Sequence, residues 1–177
     1  MLLPCYEWDR IVLVPKGHEL AASKEPLTIQ SLARFPLVTY VFSVTGESSF
    51  KRAFANEGLE PDVVFTARDA DIIKTYVRMG MGVGVVAAMA WECQDKEDLV
   101  ALDATGLFPR VTTWIGFRRD SVLRGYMVDF ASLFAPHLLP ELTQRAASME
   151  TQEEVGELFT KIKLPLRGGC DDEFGSD

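Results

Sequence analysis

Four hydroxyl side chains and a glycine crowd one short stretch, Ser43-Val44-Thr45-Gly46-Glu47-Ser48-Ser49. The stretch opens a helix, so its hydroxyls and the helix's free N–H groups together suit a small anion. The same residues also suit a plain N-cap, with Thr45 or Ser48 bonding the first turn. Glu47 counts against an anion, because a carboxylate there repels one. From the residue types alone both readings stand, the cap being the plainer. A second turn, Thr66-Ala67-Arg68-Asp69, joins a strand to a helix. Arg68 beside Asp69 is a solvated pair or the wall of a ligand site. Trp8 follows a short apolar segment, where an indole is either core or lines a cleft with its N–H inward.

Other chemistries find little to work with. Gly80-Met81-Gly82-Val83-Gly84 imitates a dinucleotide fingerprint, but in the wrong order. That motif needs strand, glycines and then helix, so that a pyrophosphate meets the helix N-terminus. Here the helix comes first, and the glycines cap it and permit close packing. His18 and His137 are the only histidines, and Cys5, Cys93 and Cys170 lack CxxC spacing. A zinc cluster or a histidine-based triad is not expected, and the thiols are expected to be reduced, as in a cytosolic protein. There is no GxSxG, no P-loop and no metal-spaced carboxylate set. Catalytic residues, metal ligands and cofactors are therefore all expected to be none, and an α/β enzyme fails for want of a nucleophile and base. Binding without chemistry is the inference.

The elements that must position these turns alternate. Val63 to Val86 reads as strand, helix, glycine stop and strand, with Asp69 and Asp71 at the helix start and Gly80 at its C-cap. Ile72 with Tyr76, and Ile73 with Val77, give that helix an apolar face. Such a βαβ crossover implies a parallel sheet with helices on both faces. Arg10–Val14 and Leu37–Tyr40 read as further strands, Glu19–Pro26 and Phe42–Gly46 as loops, and Thr28 as the cap of a short helix. Ser48–Glu57 reads as a helix with Phe50, Ala53 and Phe54 inward. Beyond it, Met89–Glu92 reads as a short helix, Gln94–Asp98 as a charged loop, and Leu99–Leu102 and Val111–Phe117 as strands. Val122–Phe134 reads as a helix with Leu123, Met127, Phe130 and Phe134 on one side, and two more helices follow Pro140. In such α/β sheets ligands sit beyond the carboxyl ends of strands, which is where both turns fall.

Composition fits a soluble α/β chain: 177 residues, 47% hydrophobic, 25% charged, net charge −8. Asp171, Asp172, Glu173 and Asp177 lie in the tail, so the folded body is only mildly acidic. No basic stripe is present, so these residues are not expected to bind a nucleic-acid backbone. The longest apolar run, Met79 to Trp91, is too short to span a membrane. Arg118-Arg119 reads as a surface pair.

Seven segments resemble one family: LPCYEW (3–8), FPLVTYVFSVTGESS (35–49), VVFTARDADIIKTYVRMGMGVGVVAAMA (63–90), LVALDA (99–104), TTWIGFRR (112–119), YMVDFASLFAPHL (126–138) and FTKIKLP (159–165). The chain resembles the LysR-type transcriptional regulators, and within them the CysB/Cbl branch that activates cysteine biosynthesis and sulfur assimilation. The resemblance implies a periplasmic-binding-protein-like (type II) α/β effector domain, one complete lobe plus part of a second. Residues 1–8 and 111–138 would form partial lobe I, 9–110 lobe II, 139–165 C-terminal helices, and 166–177 a disordered acidic tail. It also implies a cytoplasmic regulator that binds O-acetylserine, N-acetylserine, sulfate or thiosulfate between its lobes. Thr45 matches the threonine that contacts the anion in this branch, and Trp8 matches a cleft tryptophan. Ser43 and Gly46 flank the first contact, and Thr66, Arg68 and Asp69 form the cleft-side turn. Glu47 stands where the branch carries a basic residue. The winged helix-turn-helix and the first half of lobe I are not among these residues. DNA binding would thus belong to a missing N-terminal domain, and the parent family's assembly is a homotetramer. A piece of this kind is expected to leave strand edges and apolar faces exposed. Two alternatives share the fold. One is a periplasmic-type solute-binding protein, which needs a signal that Met1-Leu2-Leu3-Pro4 does not resemble. The other is a truncated regulator with no function of its own.

Overall fold

Ile11 to Val14 are all buried, as a strand covered on both faces requires. They belong to β2 (Arg10–Pro15); β1 (Leu2–Trp8) precedes it. The computed structural model describes residues 1–118 and 122–170. Contacts divide the chain into two compact units, one of residues 1–7 and 111–166 and one of residues 8–110 with the segment from 167 onward.

The second unit is a five-stranded sheet. Its strands are β2, β3 (Leu37–Tyr40), β4 (Val63–Ala67), β5 (Val83–Ala87) and β6 (Leu99–Asp103), in the order β4-β3-β5-β2-β6. β3 runs parallel to β4 and β5, while β2 is antiparallel to β5 and β6. The sheet is thus mixed rather than parallel throughout. An apolar run records burial on both faces, not strand direction.

Helices cover both faces. On one, α2 (Ile29–Leu32) and α4 (Ser49–Asn56) bury Ile29, Leu32, Phe50 and Phe54 against Val12, Val14, Leu37, Val83 and Val85. Between them α3 (Val41–Val44) is one helical turn where the sequence suggested a loop, and α1 (Glu19–Ala22) is another, capped by His18. On the other face α5 (Ala70–Arg78) lays Ile73 and Val77 over Gly84. A Cβ on Gly84 would sit 2.7 Å from Val77 Cγ2, and one on Gly82 would sit 2.5 Å from the Pro36 carbonyl oxygen. These glycines do the packing work expected of them. Gly80, at φ 73°, ends α5 in the left-handed region.

The stretch after β5 is held by charge. Ala88–Ala90 and Cys93–Glu97 form 3₁₀ turns. Lys74, buried on α5, reaches Asp71, Glu92 and Asp95 at 3.0 Å each. Arg78 adds 2.7 Å contacts to Asp95 and Asp98.

The cysteine expectation is corrected here. Cys93 and Cys170 form a disulfide, their Cα atoms 5.2 Å apart, and Cys5 stays a buried thiol whose S–H donates to the Leu3 carbonyl at 3.4 Å. The Cys170 N–H donates to the Trp91 carbonyl at 2.9 Å. Residues 167–170 are therefore anchored rather than loose, and the remainder of the expected disordered tail, 171–177, lies outside the described residues, as does Arg119.

In the first unit β1 pairs with β7 (Val111–Gly116), beside α6 (Gly125–Phe134), α7 (Pro140–Ala147) and α8 (Gln152–Phe159). The Gln152 amide donates to the Leu2 carbonyl and accepts from its N–H, both at 2.9 Å, as a neighbouring strand would. The buried side of α6 is Val128 and Ala131. Phe130 is 58% exposed and stacks on Phe134 at 5.9 Å, so the inward face is rotated from the expected one. Val122, Tyr126, Leu133 and Trp114 are also exposed, the apolar surface foreseen for this part of the chain.

Candidate functional site

Both candidate turns leave the same edge of the sheet. Tyr40 at the end of β3 lies opposite Ala67 at the end of β4, in parallel register, so 41–49 and 68–69 begin side by side. β5 ends at this edge too, and Arg10 opens β2 there, opposite Ala87.

In the first turn the hydroxyls divide their roles. Ser48 caps α4, accepting the Lys51 N–H at 3.1 Å, while its own hydroxyl donates to the Ser43 carbonyl. Ser43 is buried, its Oγ 3.3 Å from Thr39 Oγ1, and the Thr39 hydroxyl donates to the Val85 carbonyl at 2.8 Å. Thr45 ends α3 and is exposed, with a long 3.4 Å contact to the Phe42 carbonyl. Gly46 follows at φ 58°. Of the two cap candidates, Ser48 does the capping, which leaves the Thr45 hydroxyl uncommitted to α4. Glu47 is exposed beside it.

In the second turn Thr66 is half-buried opposite Thr39, and Arg68 is exposed. Asp69 caps α5, accepting the Asp71 N–H at 2.7 Å. Its carboxylate is therefore engaged with its own helix.

Two residues at this edge escape a reading from sequence. Tyr40 stacks on Phe42 at 4.8 Å, and its Oη accepts the Ala87 N–H at 3.2 Å. Burial pushes its phenol above the usual range, so it stays neutral. Arg10 is 3% exposed, with Nη1 donating to Ser49 Oγ at 3.2 Å. Its guanidinium lies 5.6 Å from the ring centroids of both Trp8 and Phe108. Trp8 is buried against that cation, which places it at the site edge with Arg10. The adjacent Asp9 does not pair with Arg10: the Asp9 carboxylate accepts from Arg110 Nε at 3.2 Å.

A groove of about 530 Å³ elsewhere in this unit is lined by Leu20, Pro26, Thr28, Arg34, Phe35 and Leu102. None of the turn residues lines it. Among the described residues no group of three or more His, Cys, Asp or Glu side chains could hold a metal ion, and no helix is long and apolar enough to cross a membrane.

A mixed sheet covered on both faces, with hydroxyl-bearing turns at the carboxyl ends of its parallel strands, defines a class of ligand-binding α/β domain. The chain belongs to the LysR substrate binding domain family, which matches residues 2–138. Its particular relatives are transcriptional regulators. It is 47% identical over 165 residues to the HTH-type transcriptional regulator CysB of Haemophilus influenzae, covering 93% of this chain and 50% of that protein. It is 50% identical over 135 residues to the regulator SsuR of Burkholderia cenocepacia, covering 76% and 44%. In structure it resembles the cofactor-binding domain of the Cbl transcriptional regulator, with a TM-score of 0.77 and 38% identity over 85% of this chain and 65% of that one. The fold is accordingly the periplasmic-binding-protein-like α/β type. The chain spans about half the length of the curated relatives it matches.

Proposed function

We propose that this chain is the effector-sensing part of a CysB-like, LysR-type regulator of cysteine biosynthesis and sulfur assimilation. The effector is a small anion or an acetylserine-type molecule: O-acetylserine, N-acetylserine, sulfate or thiosulfate. It is held at the strand-end edge of the second unit by Thr45, Gly46 and Ser43, with Trp8 and the Thr66, Arg68 and Asp69 turn around it. The observation that carries this reading is the convergence of the two turns on one sheet edge, with Thr45 exposed and its hydroxyl not used to cap α4. The family membership supports it.

The response is a population shift. An effector that binds one arrangement better than another moves the equilibrium by its differential affinity and no more. DNA binding belongs to the same proposal, because the named relatives are HTH-type transcriptional regulators; assembly as a tetramer and a cytoplasmic setting are proposed with it from the family resemblance.

Calorimetric titration of the whole gene product with the four candidates tests it. One of them is expected to bind, and Thr45→Ala to weaken that binding about two- to tenfold, the value of one hydrogen bond. No heat from any candidate, or an unchanged affinity in Thr45→Ala, would overturn the assignment.

A further inference from the structure

Every other buried charge among the described residues of the second unit is paired. Lys74 meets three carboxylates, Asp95 meets Lys74 and Arg78, and Asp9 meets Arg110. Arg10 is the exception. It forms no ion pair among the described residues, and its buried Nε–H has no hydrogen-bond partner. Burial pushes its pKa down to about 10, with the neighbouring Tyr40 opposing, so it remains a cation at neutral pH. A buried guanidinium without a counter-charge is costly, and structures rarely keep one without a use.

Its surroundings make the imbalance larger. Its hydrogen-bond partner, Ser49, is the first residue of α4, an eight-residue helix. The N-terminus of a helix carries partial positive charge and unsatisfied N–H groups. Two positive features therefore abut in a site walled by the Trp8 and Phe108 rings, with no carboxylate between them. Asp9, the nearest acid in sequence, is turned away to Arg110.

We propose that Arg10 is the counter-charge for an anionic ligand, a carboxylate or an oxyanion, seated between its guanidinium and the first turn of α4. This rests on the effector-binding reading above and adds the residue that selects for charge. Thr45 offers an exposed hydroxyl, which takes neutral and charged ligands alike. Arg10 offers a planar fork of donors that matches carboxylates and sulfur oxyanions. Ser49 holds one arm of the fork through Nη1, and the Nε–H is left for the ligand. Because the guanidinium is buried, the ligand reaches it only as a neighbouring side chain moves, and Trp8 reports that movement.

The test is a titration of the whole gene product, followed by calorimetry and tryptophan fluorescence, with sulfate, thiosulfate, N-acetylserine and its uncharged amide. Arg10→Gln is expected to weaken the anions roughly ten- to a hundredfold while leaving the affinity for the amide within twofold. Arg10→Lys, which keeps charge but not the fork, should recover part of the loss. If Arg10→Gln does not fold, Arg10→Lys and Ser49→Ala carry the test, each expected to weaken anions and not the amide. The proposal falls if these variants bind anions as the unaltered protein does, or lose anion and amide equally. Should the unaltered protein bind the amide as tightly as the anions, with Thr45→Ala weakening both, the effector reading stands and Arg10's role falls. Silence from all four probes brings down Arg10's role, and silence from O-acetylserine as well brings down the effector reading with it.

Discussion

Asp95→Ala is expected to cost the second unit about 3–5 kcal/mol, the usual loss when one member of a buried charge cluster is removed. Asp95 is 1% exposed and receives Lys74 Nζ at 3.0 Å, Arg78 Nη2 at 2.7 Å and the Glu92 N–H at 3.0 Å. Its deletion leaves the buried Lys74 with only the two exposed carboxylates, Asp71 and Glu92, as counter-charges, and frees Arg78 from its inner contact. Urea denaturation checks this through the midpoint at constant slope. A loss under about 1 kcal/mol would mean that the cluster behaves as a set of surface pairs. The pH dependence has a definite sign. Burial by itself raises the Asp95 carboxyl, but the Glu92 N–H, Arg78 and Lys74 outweigh it and hold the group below the usual range. A depressed carboxyl stabilises the fold above its unfolded value, near 3.9, and that stability is lost as pH falls through the folded value. Lys74 is the opposite case. Burial lowers it, yet bonds to Asp71, Glu92 and Asp95 hold it above the lysine range, so its contribution persists through neutral pH and is lost only in strong alkali. Acid unfolding below about pH 4 is thus expected to flatten in Asp95→Asn, with the alkaline arm far less affected.

That cluster also marks where sequence reading stops. The β4-α5-β5 unit was legible because its signals are local: Asp69 as cap, Ile73 and Val77 four apart, Gly80 at positive φ. The turn at Thr45 was legible for the same reason, as hydroxyls and glycine at a strand's end. Lys74 sits between Ile73 and Val77 on the buried face, and the one partner within a helical turn, Asp71, is an exposed carboxylate that does not explain its burial. Two of its partners, Glu92 and Asp95, lie beyond the next strand. Arg10 is illegible for a similar reason: it opens the strand read at Arg10–Val14, and the groups that surround its guanidinium, Ser49 and the Phe108 ring, are distant in the chain. Asp9 goes to Arg110 and Arg10 to Ser49. Strand direction in β2 and β6 was hidden because apolar runs look alike in both senses. The buried face of α6 differs from the one its large side chains predict, because Val128 and Ala131 allow the closer approach.

The bond between Cys93 and Cys170 spans 77 residues, a separation with no local signature at all. Its loss is the second large expected effect. Cross-linking a loop of that length is worth about 4–5 kcal/mol by chain entropy alone, and realised values run nearer 2–4 kcal/mol. Adding a reductant, or making Cys170→Ser, is therefore expected to lower the melting temperature by roughly 10 °C. Non-reducing electrophoresis should show the unreduced chain running faster once unfolded. The two large effects are also linked. Cys93 begins the same 3₁₀ turn that carries Asp95, so the bond and the charge cluster fix one short segment from its two ends. Gly169 seats the other strand of the clasp, for a Cβ there would sit 2.5 Å from the Ala88 carbonyl oxygen and 2.7 Å from the Trp91 Cβ. If the bond's value lies partly in holding that turn, Cys170→Ser and Asp95→Ala combined must cost less than the sum of their separate losses. Strict additivity would show that the disulfide acts only on the unfolded chain, and an unchanged melting temperature under reductant would show that the bond is not formed in solution. Since thiols prevail in reducing surroundings and the bond in oxidising ones, the stability of the α5 clasp is expected to follow the redox poise around it.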